Sequence, residues 1–174
     1  GAYQEAIEYY DRAIALNPQL PQPRQMRARA LWSLDRVDEM VEEAQQAVEA
    51  QPEDPQRHLA LAIVQRQAER FREAEATLNA AIDRFPERDD LKRAYVNLLF
   101  EYKETGRLGN TLKEWVEARE EPDWTWLALN RARIEHGFLD KAEESLDELA
   151  ETALAEEPVY AVLRAKLLVQ RARA

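Results

Sequence analysis

The chain has no cysteine, so disulfides and thiolate metal sites are excluded, and the compartment is left open between cytosol and periplasm. Glycine occurs only four times, and the four positions make no phosphate cradle. The longest purely apolar run, Leu59 to Val64, is six residues. A membrane-spanning helix needs about 20, so no membrane insertion of this segment is expected. Strand-like alternation is missing throughout. Helical patterning begins directly after Gly1, and no signal peptide is expected. His58 and His136 are the only histidines and lie far apart in sequence; Ser33 and Ser145 have no histidine near them. No catalytic, cofactor-binding or metal-binding constellation stands out, so the chain reads as a non-enzyme.

What the sequence does contain is helix. Composition is 45% hydrophobic and 33% charged, which suits a packed helical protein and argues against disorder. The formal net charge is -10, which disfavours nonspecific contact with nucleic acid or anionic membranes. Apolar and small residues recur at three- and four-residue spacing. Breakers divide this pattern into helices predicted at 2–16, 22–34, 37–50, 55–69, 71–85, 89–105, 108–119, 123–136, 138–152 and 158–172. Asp54 before Pro55 is a predicted N-cap with proline in the first helical position. Gly106 and Gly137 are predicted in tight turns between paired helices. Connections this short make neighbouring helices antiparallel.

Pro18, Pro52 and Pro86 follow one another at a step of 34 residues, and Ala13, Ala47 and Ala81 keep the same step. A fixed period of this length marks a stacked array in which each unit buries its apolar face on the next. Small residues allow close helix approach, and large ones fill the gaps. The pattern resembles the tetratricopeptide repeat, a 34-residue helix-turn-helix unit. With the prolines at position 32, position 8 holds Ala28 and Ala62, and position 20 holds Ala6, Met40 and Ala74. Tyr3, Val37 and Phe71 fall at position 17, and Trp126 supplies the tryptophan expected at position 4. With Gly106 and Gly137 both placed at position 15, the step shortens to 31 and the second half reads as irregular. The resemblance implies an all-α fold, an α-solenoid of antiparallel helix pairs wound as a right-handed superhelix.

Repeats are expected at 21–54 and 55–88, with irregular ones at 89–122 and 123–156. Segment 1–20 then supplies a second helix alone, and 157–174 a terminal or capping helix. Beginning and ending out of phase suggests part of a longer array whose open ends allow self-association.

In this family the first helix of each repeat lines a concave groove, and the second forms the outer wall. The first-type helices here are neutral to basic and the second-type helices strongly acidic. Field lines concentrate in a concave, low-dielectric groove, so the partner expected is a protein or peptide with an acidic segment. Groove positions carried over from the family are occupied by Gln25, Arg29, Trp32, Arg66, Arg93, Asn97, Phe100, Trp124 and Arg131. Aromatic rings interleaved with arginine supply rigid contact area beside bidentate donors. Arg93 and Asn97 also have the spacing of a carboxylate clamp, but Gln25 with Arg29 and Leu59 with Ile63 do not repeat it. Two other roles suit the pattern: a periplasmic scaffold for bacterial exopolysaccharide secretion holding an anionic glycan, and a structural or oligomerisation spacer with an empty groove.

Overall fold

The computed structural model describes residues 1–18, 21–118 and 123–173, with the backbone alone for Pro21, Gln25 and Thr105. The described residues form α-helices with no strand: α1 (Ala2–Leu16), α2 (Pro21–Ser33), α3 (Val37–Ala50), α4 (Pro55–Gln67), α5 (Phe71–Arg84), α6 (Asp89–Glu101), α7 (Thr105–Glu117), α8 (Trp124–Glu135), α9 (Leu139–Leu149) and α10 (Pro158–Arg171). A 3-10 turn, Ala153–Glu156, precedes α10. The chain divides into two compact units, Gly1–Tyr95 and Val96–Ala174, with the boundary inside α6.

Local chemistry sets the helix ends. The Asp54 carboxylate accepts from the Gln56 backbone N–H at 2.9 Å, with Pro55 in the first helical position, as the sequence predicts. Asp123 caps α8 in the same way through Thr125. Before Pro18, Pro52 and Pro86, the C-cap residues Asn17, Gln51 and Phe85 leave helical geometry, because the proline ring crowds the residue ahead of it.

The turns between paired helices correct the sequence reading. Asp35, Glu69, Lys103 and Gly137 have φ of 57°, 58°, 56° and 78°, and they are spaced at 34 residues without exception. Each closes a Schellman turn. Arg36 N–H donates to Leu31 at 3.0 Å, Arg70 to Gln65 at 2.8 Å, Glu104 to Leu99 at 3.0 Å and Phe138 to Arg133 at 2.8 Å. The turn after α6 is therefore made by Lys103. Gly106 and Gly109 lie inside α7, which starts at Thr105 rather than 108, while α6 stops at Glu101 rather than 105. The shortened step of 31 arose from placing Gly106 in a turn; the turns themselves keep the 34-residue pitch to Gly137.

In the first unit, α1 packs on α2, α2 on α3, α3 on α4 and α4 on α5. Ile7, Ala30, Leu31 and Met40 form a core cluster, with Tyr10 and Val64 against it. Small residues sit where helices cross most closely: Ala62, Ala74 and Ala81 are at most 2% exposed. In the second unit α8 contacts α7, α9 and α10. Its core gathers Leu127, Ile134, Ala142, Leu146, Leu163 and Leu167. Each fully buried leucine contributes about 2 kcal/mol of transfer free energy. The fold class is thus the predicted one, an α-solenoid of helix pairs.

Candidate functional site

The predicted groove residues fall on the first helices of the pairs, and each unit presents its own set. In the first unit, α2 carries Arg29 and Trp32 one turn apart. Both are exposed, Trp32 by 50%. The guanidinium of Arg29 has no hydrogen-bond or ion-pair partner among the described residues. Its neighbours differ. Arg24 and Arg27 are held by Glu43, Arg27 also reaches Asp11 at 2.6 Å, and Arg36 is paired with Glu39 at 2.5 Å. Hydrogen bonding from Arg36 holds the Glu39 carboxyl below the ordinary carboxylate range, so that pair is charged on both sides at neutral pH. On α4, Ile63 is 40% exposed and Arg66 half-buried. Arg93, on the part of α6 in this unit, is exposed. The Gln25 side chain lies outside the described residues.

In the second unit Asn97 is exposed on α6, and Phe100 is half-buried. The Arg131 guanidinium of α8 stacks over the Phe100 ring at 4.0 Å and donates through Nε to Glu135 at 2.9 Å. The structure therefore joins two predicted contact residues, with a carboxylate beside them. Trp124 is half-buried, and its indole nitrogen is shielded from solvent. Leu127 and Ile134, which family geometry puts on the groove side, are 6% and 2% exposed and belong to the core.

One feature of this unit escaped the pattern reading. Position 8, small in Ala28 and Ala62, is Asn130, fully buried. Its Nδ2 donates to Ser145 Oγ at 2.9 Å and to the Trp126 carbonyl at 3.0 Å, and its Oδ1 accepts from Arg133 at 3.3 Å. Arg133 also reaches the Lys141 carbonyl at 3.3 Å, and burial pulls its pKa below the ordinary arginine value. A polar residue at a small-residue position was the available signal.

His58 and Ser33 have structural partners. His58 Nε2 lies 2.8 Å from the Pro52 carbonyl oxygen, and its ring is tilted against Phe85 at 5.7 Å. Ser33 Oγ donates to the Arg29 carbonyl at 3.0 Å. Among the described residues, no group of three or more His, Cys, Asp or Glu is placed to hold a metal ion. No described helix is long and apolar enough to cross a membrane.

Residues 1–63 match the family model of the tetratricopeptide repeat. The chain is 30% identical over 158 residues to an uncharacterized protein of Aquifex aeolicus (strain VF5). That match takes in 81% of this chain, which spans only 20% of the relative's length. Among solved structures, TTC0263, a thermophilic TPR protein of Thermus thermophilus, aligns with a TM-score of 0.58 at 20% identity. The alignment covers 95% of this chain and 91% of that one. YrrB, a TPR protein with an unusual peptide-binding site, aligns with a TM-score of 0.50 at 17% identity, covering 94% and 93%. At these identities the structural likeness is one of fold.

Proposed function

We propose that this chain, which belongs to the tetratricopeptide repeat proteins, is a scaffold that holds a protein or peptide partner through an acidic segment. The coarser part, a non-enzymatic module for protein–protein interaction, is the general work of the fold. The acidic partner rests on one observation: Arg29 keeps an uncommitted guanidinium beside the half-exposed Trp32, while Arg24, Arg27 and Arg36 around it are neutralised by their own acids. A ring for apolar contact next to a planar two-donor fork suits a carboxylate-bearing peptide. In the second unit, Arg131 presents the same pairing with Phe100, partly neutralised by Glu135. A peptide-binding site in YrrB is in keeping with this reading.

Calorimetric titration with a short acidic peptide carrying one aromatic residue tests it. Binding that weakens with salt and falls about tenfold in Arg29→Glu is expected. Affinity indifferent to salt and to Arg29→Glu sinks the proposal. An anionic polysaccharide, titrated in parallel, separates a peptide partner from the glycan that the same arginine would attract.

A further inference from the structure

We propose that Met26 is an oxidation site through which peroxide controls the availability of Arg29. The chain has no cysteine and two methionines. Met40 is 8% exposed and belongs to the core cluster with Ile7, Ala30 and Leu31, whereas Met26 on α2 is 37% exposed. Met26 thus carries the one sulfur of this chain that a small oxidant in water reaches directly. Its openness belongs to the repeat pattern. Ala60 holds the same place 34 residues on, in α4, and it is exposed although helices precede and follow α4 in its unit.

Arg29 lies one turn along α2 from Met26. Residues three apart on a helix are neighbours, about 5–6 Å between β-carbons. Helical side chains tilt towards the N-terminus, so the Arg29 stem starts out towards the turn that carries Met26. The Arg29 guanidinium has no hydrogen-bond or ion-pair partner among the described residues, unlike Arg24 and Arg27, which are held by Glu43. A thioether is a weak acceptor and leaves that donor fork open.

Oxidation changes the acceptor. With hydrogen peroxide, a sulfur lone pair attacks one peroxide oxygen and the O–O bond breaks. The departing hydroxide takes up the proton of the transferred oxygen and leaves as water. Sulfur loses two electrons, peroxide gains them, and Met26 becomes a sulfoxide. Its oxygen is a polar acceptor one turn from an uncommitted guanidinium. A hydrogen bond from Arg29 to it occupies the donors that an incoming carboxylate needs. The effect on binding rests on the reading of Arg29 as the partner's anchor; the oxidation and the capture of Arg29 stand apart from it.

Peroxide treatment of the 174-residue chain, followed by mass mapping of its peptides, is the test, with helicity checked by circular dichroism. A gain of about 16 Da should appear at Met26 well before Met40. The Arg29 Nε–H signal in heteronuclear NMR, assigned with Arg29→Lys, should then exchange with water about tenfold more slowly. Calorimetry with the acidic aromatic peptide should show about tenfold weaker binding to the oxidised chain, recovered by methionine sulfoxide reductase. Met26→Leu should give one affinity before and after peroxide. Oxidation of Met40 as fast as Met26, or an Arg29 signal unmoved by oxidation, overturns the proposal. So does peptide affinity indifferent to oxidation, or a loss that persists in Met26→Leu. A chain that binds no acidic peptide even when unoxidised refutes the partner reading, and the mass map and the Arg29 signal still decide this one.

Discussion

The Arg131 guanidinium carbon lies over Phe100, 4.0 Å from the ring centroid, while its Nε is tied to Glu135 at 2.9 Å, so one guanidinium is shared between a ring and a carboxylate. The stack bridges α6 and α8 within the second unit. Replacing Phe100 with leucine keeps the apolar volume but removes the ring face, at an expected cost of about 0.5–1 kcal/mol in urea denaturation. The loss should vanish in an Arg131→Ala background. Equal losses in both backgrounds would show that Phe100 acts by packing alone.

The four turns predict opposite outcomes for two alanine substitutions. Gly137 has φ +78°, and Gly137→Ala should destabilise by about 1–2 kcal/mol, although nothing lies within 4 Å of the added carbon. Gly106 sits in α7, also with open space around it, so Gly106→Ala should stabilise by about 0.5–1 kcal/mol. Thermal melts of the two variants decide the matter by the sign of the shift.

This contrast also shows how far the sequence could be read. Helix order, the proline frame and the Asp54 cap were all visible, because proline and capping side chains act on their immediate neighbours. Lys103 was not visible as a turn residue. Nothing in lysine favours positive φ, and the conformation is imposed by two backbone hydrogen bonds, to Phe100 and from Glu104 to Leu99. Gly106, three residues on, drew the assignment instead. The Arg131–Phe100 stack joins neighbouring repeats, so it depends on how they pack and is absent from any single-helix pattern. Arg29 and Trp32 were named from family positions, and only the folded arrangement shows that Arg29 alone of four nearby arginines lacks an acid.

The buried Asn130 couples two helices through polar contacts that water cannot replace. Ser145→Ala should cost about 1 kcal/mol by depriving Asn130 of one acceptor. Asn130→Ala should cost more, since Ser145 and Arg133 both lose a partner and a cavity opens. Chemical denaturation measures both. A neutral Asn130→Ala would show the network to be dispensable.

Acid should loosen the start of α6. Arg88 donates to Asp90 at 2.6 Å and Gln56 donates at 3.0 Å, and these bonds lower the Asp90 pKa from 3.8 to about 2. The folded chain thus holds the Asp90 proton more weakly than the unfolded chain does. Its contribution is complete above about pH 4 and fades as pH falls towards 2. With the Asp90 side chain 37% exposed, solvent screening keeps that contribution to about 1 kcal/mol or less. Asp90→Asn should flatten this part of the stability curve between about pH 4 and 2; an unchanged slope would assign it to other carboxylates.

Arg36 and Arg70 each follow a left-handed turn residue, and each reaches back past it: Arg36 to Gln4 at 2.8 Å, Arg70 to Asp38 at 2.5 Å. The residue whose backbone N–H completes the helix stop is also the one whose side chain grips the preceding second helix. Stopping and stacking are thereby checked at a single point. A chain that closed the turn one residue early would swing the arginine by about 100° around the helix and release its grip. At these two junctions the repeat thus inspects its own phase against its neighbour, and a phasing error there stays local instead of passing along the array.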